Sequence, residues 1–237
     1  MDKEYEQDYF KQEKEHWWFR ARRDLIKRIK ISPDAKILEV GCGSGLNLKE
    51  FSNKEKIGLD ISQDAVDKAQ EYNIDAIQGD LNKDLPFEKE SFDLILALDV
   101  IEHLEDEKEA IKKLSELLKE NGKLVINIPA FQFLWSEHDV LNQHKKRYTK
   151  KEIEKFTKDF LKTQTLTYWN FTLLPVVYSV IKINKILKRK DSNIQETSPI
   201  VNKILLNILK IENYLIHNRI FFPWGVSVFY IGKKRSS

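Results

Sequence analysis

A chain of 237 residues is long enough for one α/β core, or for such a core with a small cap. Its 41% hydrophobic and 32% charged residues exclude a disordered polymer, and one cysteine excludes an internal disulfide or a multi-cysteine zinc site. The net charge of +3 hides two unlike halves: residues 1–139 hold 21 Lys/Arg against 31 Asp/Glu, residues 140–237 hold 19 against 6. A basic half suits an anionic partner such as phosphate, carboxylate, nucleic acid or lipid, or else a lysine-rich solvated face.

Along the chain, Met1 to Glu15 is polar and mixed in charge, without the apolar stretch of a secretory signal. An apolar strand over 36–41 runs into glycines at 41, 43 and 45, which allow a tight turn and a close ligand approach. A second strand over 56–60 ends on Asp60, 19 positions after Gly41, about where a carboxylate meets ribose hydroxyls in α/β nucleotide sites. Ser62 is placed to N-cap a helix over 63–72, with Asp64 in its first turn. Strands follow at 74–78 and 92–98, then a helix over 105–120 that Asn121-Gly122 is expected to end, then a strand at 122–128. This alternation predicts βαβ units in a parallel sheet. The last third breaks the rhythm. Leu166–Trp169 and Val226–Ile231 read as sixth and seventh strands, with apolar helical stretches near 172–188 and 200–218 between them. A polar stretch at 189–199 reads as the one linker. The uncharged run from Tyr168 to Ile181 is too short to cross a bilayer, which needs about 20 residues. Its basic end, Lys182 to Lys190, suits an anionic membrane surface; a cap over a substrate pocket is the other reading.

The glycine turn is not of the dinucleotide type. Leu46 stands where G-x-G-x-x-G needs its third glycine, and Glu39 places a carboxylate where a pyrophosphate would be repelled. Glu39-Val40-Gly41-Cys42-Gly43-Ser44-Gly45 instead resembles motif I of the class I S-adenosylmethionine (SAM)-dependent methyltransferases. Gln78-Gly79-Asp80-Leu81, Phe92 to Leu104 with Asp99-Val100-Ile101-Glu102-His103, and Gly122 to Ile126 are similar to that family's later motifs, in its ubiquinone/menaquinone-methyltransferase-like branch. The opening His16-Trp17-Trp18-Phe19-Arg20-Ala21-Arg22-Arg23 is similar to the N-terminal lead of that branch.

The resemblance covers nearly the whole chain. It implies one domain over 1–237, with a seven-stranded, mostly parallel Rossmann-like sheet and helices on both faces. A helical lead at 1–30 and a helical cap at 170–220, between the last two strands, complete it. SAM is the implied cofactor, with Glu39 on its ammonium, Asp60 on its ribose and Asp80 on its adenine. Gly41, Cys42, Gly43, Gly45, Ile61, Leu81, Asp99, Val100, Trp18 and Arg22 are expected around it. No metal is expected.

The substrate end is read from Trp135 to Thr149, which gathers two histidines, an aspartate, an arginine and a tyrosine at the carboxyl edge of the sheet, where open α/β folds bind ligands. His138 or His144 is the expected base, Asp139 its orienting partner, and Arg147 and Tyr148 the substrate contacts. The expected reaction is O- or C-methylation of a small or lipid-linked, anionic metabolite, in the cytoplasm or at the inner membrane face. Asp99-Val100-Ile101-Glu102 departs from the Asn/Asp-Pro-Pro-aromatic motif of amino-methylating DNA enzymes, so DNA is not expected. An RNA methyltransferase, or a SAM-binding or membrane-surface protein without catalysis, are the alternatives.

Overall fold

The computed structural model describes residues 10–187 and 197–235. Seven strands form one sheet: β1 (Ile37–Val40), β2 (Lys56–Asp60), β3 (Asp75–Gln78), β4 (Phe92–Leu98), β5 (Leu118–Pro129), β6 (Leu161–Trp169) and β7 (Ser227–Lys234). Their spatial order is β3-β2-β1-β4-β5-β7-β6, with β7 antiparallel to both its neighbours and the first five strands mutually parallel. The order reverses beside β1, between its pairings with β2 and β4. That reversal opens a crevice at the strands' carboxyl ends, the position at which doubly wound sheets bind ligands.

Both faces are buried because β4 alternates two apolar sets. Phe92, Ile95 and Ala97 share a core with α3 (Glu107–Leu117) and α5 (Lys150–Thr157). Leu94, Leu96 and Leu98 share the other with α1 (Trp17–Lys27), α2 (Gln63–Glu71) and α7 (Pro199–His217). A strand covered on both sides reads as a continuous apolar run, which is how Phe92–Leu98 reads. Ser62 caps α2 as expected, accepting from the Ala65 N–H.

One boundary differs from expectation. The helix expected over 105–120 ends at Leu117, because Leu118 already pairs with Phe92 as the first residue of β5. Asn121, at φ 67°, and Gly122 belong to an irregularity in that strand, not to a helix C-cap. A Cβ on Gly122 would lie 2.9 Å from the Lys119 carbonyl oxygen and 3.0 Å from that of Phe92, so the Asn-Gly signal marks a bulge.

The insertion between β6 and β7 contains α6 (Leu174–Leu187) and α7; the linker expected at 189–199 lies, as far as residue 196, outside the described residues. These two helices behave differently. Buried Leu206, Leu209 and Ile216 make α7 a member of the sheet's helical layer, not a lid. Buried Asn213 accepts from Trp169 Nε1 at 2.8 Å and donates to the Ala21 carbonyl and to Asp24, which fastens α7 to α1 and to the sheet at once. Helix α6 buries none of its residues. Among the described residues, no helix is long and apolar enough to cross a membrane.

Removing the Asn213 amide strands a buried indole N–H. Asn213→Ala is therefore expected to cost about 2–4 kcal/mol in a urea unfolding titration. A loss below about 0.5 kcal/mol would contradict the fastening role.

Candidate active site

The glycine turn after β1 carries Gly41, Gly43 and Gly45 at φ of 64°, 50° and 74°. Side chains are excluded at its two ends. A Cβ on Gly41 would meet Val100 Cγ2 at 2.3 Å, and one on Gly45 would meet Ile74 at 3.0 Å. At Gly43 the added atom would make only ordinary contact, with the Glu13 carboxylate at 3.8 Å, so that side of the turn lies against Glu13. Cys42 points its thiol into the core, against Gly58, where burial pushes the thiol's pKa up. Only its backbone remains to meet a ligand.

Asp60, at the end of β2, is fixed by backbone donors: Gly43 N–H to Oδ2 at 2.9 Å and Ser62 N–H to Oδ1 at 3.0 Å. Glu39 is fully buried at the end of β1. Its Oε1 accepts from Asn47 Nδ2 at 2.7 Å and its Oε2 has no hydrogen-bond partner. Burial raises its pKa to about 8, against the opposing pull of Asn47 and Arg22. On the neighbouring loop, Asp80 accepts from the Asn82 backbone, Leu81 is buried, and Ile61 is 66% exposed.

Asp99 follows β4 at φ 56°, a left-handed conformation that an aspartate tolerates and that aims its carboxylate back over the sheet edge. Arg22 of α1 ion-pairs with it, and Asn127 Nδ2 donates to it at 3.1 Å. The Arg22 guanidinium also lies 4.9 Å from the Trp18 ring centre, and Trp18 in turn packs on Trp169. Trp18 and Arg22 thus form the wall that α1 contributes.

Glu13 was not legible from sequence. The helical turn at 10–15 buries it over the glycine turn, where Ser44 Oγ donates to its Oε2 at 2.5 Å and burial raises its pKa. Its neighbours in sequence are a polar, mixed-charge stretch that gives no signal for burial. Glu102 was missed as well. It follows β4 in the short 3-10 turn Ile101–His103, is fully buried, and neither carboxylate oxygen has a hydrogen-bond partner. Burial, and then the adjacent Asp99 carboxylate, push its pKa well up.

The loop after β5 arranges the expected substrate residues in another way. His144, not His138, takes Asp139 as partner, with Nδ1 2.9 Å from Oδ1. His138 is exposed and contacts Asn142. Arg147, expected on a substrate anion, is buried and committed to Asp139 through two bonds: Nε to Oδ1 at 2.8 Å and Nη2 to Oδ2 at 2.9 Å. Burial alone would raise the Asp139 pKa, but its bonds to His144 and Arg147 hold it below the usual carboxylate range. Tyr148, also expected on substrate, has its ring fully buried and its hydroxyl on Glu107, so it supports the loop from beneath. An exposed shelf lies beyond. Phe131, at φ 57°, stacks on Tyr168 and Phe133, and Phe133 lines a groove of about 320 Å³ with Leu174, Pro175, Tyr178 and Lys182.

Residues 38–126 match the methyltransferase domain family. The chain is 32% identical over 127 residues to the uncharacterized protein MJ1123 of Methanocaldococcus jannaschii, covering 51% of this chain and 60% of that protein. It is 28% identical over 174 residues to human "Probable tRNA methyltransferase 9B", covering 72% of this chain and 33% of that one. The chain thus spans less than two thirds of these relatives' length. In fold it is similar to a methyltransferase solved with the Haloferax volcanii Trm112 activator, at a TM-score of 0.66 and 17% identity, covering 97% of this chain and 94% of that one.

The donor set fits the cofactor. Glu13, Glu39, Asp60 and Asp99 surround the glycine turn, with the Arg22 guanidinium paired to Asp99 and Arg23 beside Glu13. Such a crevice favours a ligand with an ammonium and a sulfonium and disfavours a pyrophosphate. Glu39's unpartnered oxygen is free to accept from an ammonium, and Asp60 is a carboxylate acceptor fixed beside the glycine turn, the chemistry hydroxyls require. Residues 38–126 thus match a methyltransferase domain, the strand order is the fold of solved methyltransferases, and the donor set of this pocket suits S-adenosylmethionine.

Proposed function

We propose that this chain transfers a methyl group to oxygen or carbon of a small or lipid-linked acceptor bearing an anionic group. The observation that carries this reading is the acid-ringed glycine turn, opening at the carboxyl edge of the sheet beside His144 and the aromatic shelf. When bound, the cofactor supplies a methyl carbon made electrophilic by its positive sulfur. The protein's work is then placement, and alignment of a well-oriented pair accounts for roughly 7–11 kcal/mol of a barrier. Glu39 and Asp60 hold the donor, Trp18 and Arg22 wall it in, and the Asp139-oriented His144 marks the acceptor side.

A lipid-linked acceptor, of the kind expected in the ubiquinone/menaquinone-like branch, is supported by the insertion. Among the described residues, 14 of 17 exposed large apolar side chains lie between Val176 and Trp224, so the exposure is concentrated there. Residues 174–190 carry Lys182, Lys185, Lys188, Arg189 and Lys190 and no acid. Apolar exposure with one sign of charge complements an anionic bilayer surface. Because β6 runs parallel to β5, α6 begins at the same sheet edge as the cofactor crevice. RNA is the second reading, favoured by the likeness to "Probable tRNA methyltransferase 9B" and by the basic half of the chain.

The reading is tested by titrating S-adenosylhomocysteine calorimetrically. Wild type is expected to bind, and Asp60→Ala to bind at least tenfold more weakly; unchanged affinity would remove the cofactor assignment. A screen of metabolite extract and RNA with radiolabelled SAM then distinguishes the acceptors: label in RNA alone dismisses the metabolite reading.

Protonation of Glu39 gives a second handle. The folded, ligand-free protein keeps this proton up to about pH 8, whereas the unfolded chain releases it near 4.5. Its contribution to stability is therefore full below pH 4.5 and is lost as pH rises toward 8. Wild type is expected to lose, between pH 5 and 8, on the order of a few kcal/mol that Glu39→Gln does not lose. Parallel denaturation curves for the two proteins would contradict this.

Flotation with liposomes checks the membrane contact. At low salt the protein should float with anionic vesicles, and Lys182→Glu with Lys185→Glu should abolish it. Recovery in the protein-only fraction at every lipid composition would discard the contact.

A further inference from the structure

Glu102 and His103, to which no role has yet been given, meet His144 at the edge of the crevice. One ligand atom from each lies within 4.8 Å of the others, and Glu102 Oε1 is 3.8 Å from His144 Nε2. The two imidazoles stand edge to face with centres 4.9 Å apart. The Lys145 N–H donates to the Glu102 carbonyl at 2.9 Å, which ties the two segments together. Donor atoms around one ion stand roughly 3–4 Å apart at metal–ligand distances near 2.1 Å. The 3.8 Å pair is thus already in place, and the widest pair closes with side-chain rotation.

Two independent features point to a cation. Glu102 is fully buried and its two oxygens accept no hydrogen bond, a costly state for a carboxylate that lacks a counter-charge. His144 gives its other nitrogen to Asp139, and Arg147 clamps that aspartate through two bonds. A carboxylate that fixes the far side of an imidazole is how metal-bound histidines are held in orientation. A base role for His144 would employ Nε2 alone and leave the Glu102 oxygens without partner or purpose.

We propose that Glu102, His103 and His144 bind a divalent transition-metal ion at the acceptor side of the cofactor crevice, with Asp139 and Arg147 as positioning residues. Two imidazoles and one carboxylate suit Mn²⁺, Fe²⁺ or Zn²⁺ better than Mg²⁺ or Ca²⁺. Three protein ligands leave coordination positions open, and an ion there lowers the pKa of a bound hydroxyl. The acceptor class this selects has two adjacent oxygens able to chelate, as in a catechol or a vicinal diol, and methylation falls on oxygen. This acceptor class rests on the methyltransferase reading; the metal site itself does not.

The test uses the tag-free chain, stripped with a chelator, and Mn²⁺ titrated by electron paramagnetic resonance with Zn²⁺ followed by calorimetry. About one equivalent should bind. Glu102→Gln and His144→Ala should each weaken binding at least tenfold, and Asp139→Asn about 10–100-fold. Glu102→Gln removes an unpartnered buried charge, so its circular dichroism and melting should show a folded protein; His103→Ala gives an independent arm. Absence of Mn²⁺ and Zn²⁺ binding up to about 1 mM overturns the site, as does binding that Glu102→Gln and His144→Ala leave unchanged. A chain that fails to bind S-adenosylhomocysteine yet loses Mn²⁺ in Glu102→Gln keeps the metal site and drops the methyltransferase reading.

Discussion

Too little positive charge for the carboxylates it buries is the constraint around which this protein is organised. Glu13, Glu39 and Glu102 are each nearly or fully buried at the carboxyl end of the sheet, and Asp99 lies beside them. Arg22 serves Asp99 directly and the others only through its field. Desolvated acids without a counter-charge keep their protons or acquire a cation. Here the crevice divides into two regions with that need. One surrounds Glu39 and the glycine turn, the other Glu102 and His144. A cationic cofactor answers the first, and a divalent ion answers the second.

The scaffold supplies rigidity where these groups sit. Asp60 is held by two backbone N–H groups, His144 by Asp139, and Asp139 by Arg147 and the Ser136 N–H. Each of these side chains is therefore oriented by a second group. Arg147 and Tyr148 illustrate this. Both belong to the loop beside the site, yet one clamps an aspartate and the other anchors the loop from inside the core.

Local patterns made much of the fold and the glycine turn readable. The run Phe92–Leu98, the Ser62 cap and the spacing from Gly41 to Asp60 each have a short-range cause, so sequence carries them. Long-range pairing does not show itself in this way. Asn121-Gly122 has the composition of a helix stop, and only the pairing of Leu118 with Phe92 reveals a bulge. Which histidine Asp139 serves depends on how the loop folds after α4 (Glu137–Leu141), and both candidates lie within five residues of it. Glu13 and Glu102 are ordinary glutamates in charged surroundings until tertiary structure buries them.

Glu13 also has a bearing on traffic through the crevice. The turn that carries it is pinned by Ser44 Oγ, by Arg23 bonding to the Glu13 and Lys14 carbonyls, and by Asn202 of α7 bonding to the Glu15 carbonyl. A molecule settling against Gly43 meets the Glu13 carboxylate on that side of the turn. The turn of Glu13 is tied to the insertion through Asn202, so the wall over the glycine turn and the seating of α7 draw on the same few bonds.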